Sequence, residues 1–168
     1  MNVLKAAGWA FDSLQRDSDA MEDCIFCKIV SGEIPSYKIY EDGFAVAVLD
    51  LFPNIKGQTL VIPKRHIDSY IFNAKDEDMV NQMRSTRSVA KLLEKKLKVR
   101  KVNLVFEGEF VAHLHSKVYP LVETGKGYQS EGQDATHFDS YPGFVTTLRG
   151  PKASDDELRK IQKEITGK

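Results

Sequence analysis

The sequence predicts an α+β domain: five strands forming one antiparallel sheet, one long helix, a short N-terminal helix and a C-terminal helix. Three observations carry this reading. Short β-rich runs bounded by Gly, Pro, Asn and Asp recur at 37–40, 44–49, 59–63, 102–106 and 111–119. Met79, Met83, Ala90, Leu93 and Leu97 keep to one stripe at i+3 and i+4 spacing, which marks a long helix over 76–99. Glu41-Asp42-Gly43 reads as the turn of a hairpin between the first two strands. Runs of strands with helices set apart from them fit α+β layering.

Each element has its own signal. Residues 1–22 carry Val3, Leu4, Trp9 and Leu14 at loose helical spacing and predict a short amphipathic helix that ends in polar residues. Ile25, Phe26, Ile29 and Val30 repeat with helical period, and Gly32 closes that helix. Pro53, Asn54 and Gly57 make the stretch after Asp50 a loop. In the long helix, Asp76, Glu77 and Asp78 sit at the positive end of the dipole and Lys95, Lys96 and Lys98 at the negative end. Glu107-Gly108-Glu109 separates the last two strands. Residues 124–151, rich in Gly, Ser and acidic side chains, are long for a structureless loop and predict a functional flap or a disordered segment. Ser154-Asp155-Asp156-Glu157 is a capping-box signature that opens a final helix with Leu158, Ile161 and Ile165.

Composition narrows the function classes. Lys plus Arg and Asp plus Glu both number 24 in 168 residues, a net charge of zero that argues against broad electrostatic binding to nucleic acid. It leaves room for a local basic pocket. No apolar run approaches the ~20 residues needed to span a bilayer, and the first twenty residues make a poor signal peptide, so the expectation is a cytoplasmic protein without membrane attachment. In that setting a Cys-x-x-Cys pair points to metal or redox work before a structural disulfide.

The residues that carry chemistry fall in three places. Cys24 and Cys27 can reach one ion across a helical turn; tetrahedral zinc needs two further ligands, for which His66 and His113 are the available donors. A redox pair is the rival, although the βαβ setting of such pairs is missing, and His66 reads equally as a surface residue ending Lys64-Arg65-His66. In the run from Val111 to Pro120, extended backbone would place His113, His115 and Lys117 on one face and Leu114, Ser116 and Val118 on the other. His115 suits nucleophilic attack on phosphorus, with one ring nitrogen attacking while a carbonyl fixes the other. Lys117 could neutralise charge on a transferring phosphoryl group, or it could be a solvent-facing strand-end lysine. It cannot alternate as acid and base as an imidazole can, which favours already acidic leaving groups such as phosphates over amines. Asp50, where a strand gives way to a loop, is placed either to contact a ligand or to make a turn.

These residues, from about Cys24 to Pro120, resemble the histidine-triad (HIT) superfamily of nucleotide hydrolases and transferases. Four pieces carry the resemblance: Cys24-Ile25-Phe26-Cys27-Lys28-Ile29, the run 43–50, the run from Gly57 to His66 that contains Ile62-Pro63-Lys64-Arg65-His66, and His113-Leu114-His115-Ser116-Lys117-Val118-Tyr119. The resemblance implies a HIT-like fold over 23–121, with 1–22 and 122–168 as extensions. It implies His115 as nucleophile at the α-phosphate of a nucleoside phosphoester, anhydride or phosphoramidate, with a nucleotidyl-histidine intermediate and Lys117 beside it. It implies structural zinc on Cys24, Cys27, His66 and His113. Asp50 falls on the ribose carboxylate, and Ile25, Phe26, Ile29, Ile34 and Leu49 on the nucleobase slot. A homodimer with joined sheets is the implied assembly.

The chain also departs from the pattern. Lys117 stands where the third His of the triad is expected, Gln58 where Gly-His is expected, and Glu109-Phe110 where a polar pair is expected. Glu109 could pair with Lys117 and occupy the charge meant for substrate. These departures leave a second expectation open: a nucleotide-binding or interaction protein on a zinc-stabilised HIT scaffold, with its chemistry weakened.

Overall fold

A computed structural model describes residues 23–108, 110–122, 137–140 and 150–167. The helix expected within 1–22, Glu109, and most of 124–151 lie outside them. The described chain runs α1 (Ile25–Ser31), β1 (Lys38–Glu41), β2 (Ala45–Leu49), β3 (Thr59–Pro63), a 3-10 turn (Ile71–Asn73), α2 (Asp76–Leu97), β4 (Val102–Val105), β5 (Ser116–Pro120) and α3 (Asp155–Thr166). The five strands form one open antiparallel sheet in the order β1-β2-β3-β5-β4, as expected. No described helix is long and apolar enough to cross a membrane.

The period-2 alternation of the strands divides the core. Ala45, Ala47 and Leu49 of β2, Val61 of β3 and Val118 of β5 pack with Val89 and Leu93 of α2 and Leu158 and Ile165 of α3. Val46, Val48 and Ile62 point the other way, onto Cys24 and Phe26 at the start of α1. The sheet therefore buries one face under two helices and leaves the other partly covered by one short helix. A concave surface remains beside α1. Helix α1 ends on Gly32 in the left-handed region (φ 84°), as its sequence implies. Helix α3 opens with the full capping box: Glu157 N–H donates to Ser154 Oγ at 3.3 Å, and Ser154 N–H donates to Glu157 Oε2 at 3.0 Å.

Two expectations are corrected. Strand β5 begins at Ser116, not at Val111. Its ladder with β3 covers only Ser116 to Val118, while His113 N–H turns back to Val111 O (2.7 Å) and Leu114 N–H goes to Ile67 O (2.7 Å), so the backbone before Ser116 is spent outside the sheet. The side-chain alternation survives this. Leu114 packs with Ile67 and Ile71, and Val118 with α2, away from the two histidines. The buried face of α2 also differs from the predicted stripe: Asp78, Gln82, Ser85, Thr86, Val89 and Leu93 are inside, and Met83 is 44% exposed. The first two turns face hydrogen-bonding partners rather than apolar ones. Gln82 Nε2 donates to Val61 O (3.0 Å) and Ser116 Oγ (3.1 Å), and Thr86 Oγ1 lies 2.8 Å from Ser116 Oγ. Donors satisfied in this way can be buried at little cost, whereas Gln82 Oε1 has no partner among the described residues.

Candidate functional site

Four side chains from three parts of the chain converge where α1 meets the sheet. Cys24 caps α1, Cys27 lies one turn on, His66 follows β3 and His113 precedes β5. Their ligand atoms all lie within 4.8 Å of one another. Cys24 Sγ is 3.4 Å from His113 Nδ1, Cys27 Sγ is 3.4 Å from His66 Nδ1, and Cys27 Sγ is 3.5 Å from His113 Nδ1. A tetrahedral zinc with Zn–S near 2.3 Å and Zn–N near 2.0 Å separates sulfur from nitrogen by about 3.5 Å, so the donor set fits that ion. His113 Nε2 lies 3.0 Å from Pro63 O, and the N–H there leaves Nδ1 with its lone pair toward the sulfurs. Burial, and then the neighbouring Cys24, push the Cys27 thiol up to about 11. A bound metal ion would supply the positive charge that lets the Cys27 thiol ionise.

Beside this cluster the open face of the sheet forms a cavity of about 420 Å³. Ile25, Phe26, Ile29 and Ile34 line it from α1 and the residues after it, and Leu49 and Asp50 from the end of β2. All six residues expected in a nucleotide slot are thus brought to one cavity, with His115 and Lys117 on its wall. His115 Nδ1 lies 2.8 Å from His113 O, so the proton sits on Nδ1 and the Nε2 lone pair is free. Burial pulls the His115 pKa below the ordinary histidine value, which keeps the ring neutral. Phe26 packs edge-on against both His115 (4.9 Å between ring centres) and His113 (5.9 Å), linking the two sites through one ring.

Asp50 makes the turn as well as facing the cavity. Its Oδ1 accepts from Phe52 N–H (2.8 Å) and its Oδ2 from Gln58 Nε2 (2.5 Å), while Gln58 Oε1 accepts from Asn54 N–H (2.9 Å). Gln58, noted in the sequence only as a departure, is the residue that orients Asp50.

The partner of Lys117 is Glu107. Lys117 Nζ lies 2.5 Å from Glu107 Oε2, and the two side chains are only 16% and 14% exposed. Glu109, the acid expected there, is outside the described residues. Glu107 was missed because it was read as part of a turn. The signal was available in the pairing: Asn103, Leu104 and Val105 face Tyr119, Val118 and Lys117, and Glu107 follows two residues after Val105, the residue that faces Lys117. Tyr119, on the same wall, has its pKa raised, by burial first and then by Asp50 and Glu107, and stays a neutral phenol.

The family model described as the HIT domain matches residues 31–123. An uncharacterized HIT-like protein of Mycoplasma genitalium is 39% identical over 118 residues, 67% of this chain and 82% of its own length. An adenosine 5'-monophosphoramidase of Schizosaccharomyces pombe is 30% identical over 146 residues, 86% of this chain and 97% of its own. The crystal structure of a hypothetical histidine triad nucleotide-binding protein from Sulfolobus tokodaii strain7 superposes with a TM-score of 0.65 at 25% identity, over 86% of this chain and 90% of that one.

Proposed function

Because this chain belongs to the HIT domain family, we propose that it is a nucleotide hydrolase or nucleotidyl transferase acting at an α-phosphate, with His115 as nucleophile. The observation that carries this reading is a neutral imidazole, its Nδ1–H pinned to His113 O, on the wall of a cavity with an apolar slot and a carboxylate at Asp50. A nucleobase fills the slot between Ile25, Phe26, Ile29, Ile34 and Leu49, and the ribose hydroxyls meet Asp50. His115 Nε2 attacks the α-phosphorus in line. The P–Nε2 bond forms as the bond to the leaving group breaks, the leaving group departs with the electron pair and, when it is an amine, takes a proton from water, and the positive charge on the ring is stabilised by the Nδ1–H···O bond to His113 O. Water then attacks the same phosphorus, gives up a proton to solvent and releases neutral His115. Zinc on Cys24, Cys27, His66 and His113 would tie α1 to the sheet as a closed structural site and take no part in these steps.

The domain proper is 23–121, with 1–22 and 122–168 as extensions. The active form is a homodimer in the cytoplasm: β4 is a sheet edge with Leu104 exposed, and reduced thiols suit the zinc site. Release of AMP from adenosine 5'-phosphoramidate tests the enzyme reading. His115→Ala should lower that rate by roughly a thousandfold or more. One observation favours a second reading, a nucleotide-binding protein with weakened chemistry: the ammonium of Lys117 is already engaged by Glu107. Nucleotide binding without turnover of any nucleotide conjugate would select it.

A further inference from the structure

The charged groups on the cavity wall, among the described residues, are Asp50, Glu107 and Lys117. Two carboxylates thus face one ammonium, a formal charge of −1 over these three groups. That is an unusual balance for a site that is to receive a phosphate. Glu107 is the group that tips it. Its Oε2 holds Lys117 Nζ, and its Oε1 is buried with no hydrogen-bond partner among the described residues, so no other donor offsets its charge. The pair is mostly removed from water, where charges act on one another more strongly than at a surface.

Resting on the reading of the cavity as a nucleotide site, we propose that Glu107 is a specificity-determining residue, which neutralises Lys117 and makes the site discriminate against polyphosphates. An unpaired Lys117 would attract a di- or triphosphate chain and favour phosphate as leaving group. Paired with Glu107, it leaves one α-phosphate tolerable and each further phosphate charge opposed by an uncompensated carboxylate oxygen. Glu107 acts here through Lys117 and through the field of the cavity, without having to touch the substrate.

The test is equilibrium binding of AMP and of α,β-methylene-ADP, which cannot be cleaved at the α-phosphorus, to the zinc-loaded full chain without added magnesium. In the wild type the diphosphate analogue should bind no tighter than AMP. Glu107→Gln, which removes the charge and keeps the shape, should shift the ratio of the two affinities by roughly tenfold toward the diphosphate. Glu107→Asp should leave the ratio near the wild-type value. Lys117→Gln should weaken both nucleotides, the diphosphate more. A merely structural Glu107 would weaken both ligands alike, and an unchanged ratio in Glu107→Gln would overturn the proposal. Should Glu107→Gln fail to fold, an unchanged ratio in Lys117→Gln would overturn it equally. If both nucleotides bind and no ratio moves, only this inference falls. If neither binds the wild type, the nucleotide-site reading falls first and takes this inference with it.

Discussion

Single residues decide which nitrogen of His115, the proposed nucleophile, carries the free lone pair. The His113 carbonyl holds Nδ1–H at 2.8 Å and burial keeps the ring neutral, so that lone pair is on Nε2 without any base to remove a proton. Phe26, 7% exposed, holds both histidine rings by their edges. Phe26→Ala should cost about 3–5 kcal/mol of unfolding free energy in denaturant titration, with activity falling alongside. Asp42 plays the matching structural part on the far side of the domain. Its Oδ1 accepts from Phe44 and Ala45 N–H at 2.8 Å each, and its Oδ2 from the hydroxyls of Ser85 (2.7 Å) and Tyr40 (3.0 Å). Burial alone would raise its pKa; these four donors outweigh burial and lower it. A carboxyl depressed in the folded state contributes stability that is present above its unfolded pKa of about 3.9 and is lost as pH falls through the lower folded value. Melting curves of the wild type should therefore lose stability below pH ~4, and Asp42→Asn should be less stable at neutral pH and flatter in that acid range. Equal acid sensitivity in the two proteins would count against Asp42 as the hairpin's anchor.

At the scale of elements, α1 has seven residues, too few to hold a helix without tertiary support. Phe26 supplies part of that support, and Cys24 and Cys27, as proposed metal ligands, would supply the rest. Elemental measurement should find about one zinc per chain, and Cys24→Ser should lower metal content and melting temperature together, the latter by about 5 °C or more. A metal-free protein of unchanged melting temperature would remove zinc from the account. Much of this level was legible in the sequence. Hairpin turn, strand runs, helix ends and capping box are local signals, and among the described residues each element appears close to where its residues put it, the start of β5 excepted. The two misreadings were non-local. Buried Gln82 and Thr86 look like surface residues until Ser116 and the Val61 carbonyl are seen to bond Gln82 Nε2 and Thr86 Oγ1, and the strand before Ser116 looks extended until Ile67 is seen to take its hydrogen bond. The Cys24, Cys27, His66 and His113 cluster and the lining of the cavity were legible because they lie in a motif. Glu107 was not, because it follows β4 and its tie to Lys117 depends on the register that sets Val105 across from Lys117.

For the whole molecule, the sheet has two helices on one face and one short helix with a cavity on the other, so the proposed binding and chemistry share the open face. The edge strand β4, with Leu104 on it, is the surface proposed to meet a second copy. Light scattering should give twice the chain mass at micromolar concentration, and Leu104→Glu should shift that mass toward the monomer; a wild-type monomer would contradict the assembly. The central claim, that a buried neutral His115 carries the nucleotide between leaving group and acceptor, is tested most directly by mass spectrometry of protein quenched during incubation with adenosine 5'-phosphoramidate. The account predicts an adenylyl group on His115 that disappears as substrate runs out and never forms in His115→Ala. Steady turnover with His115 unmodified at every quench time, or turnover at full rate in His115→Ala, would contradict it.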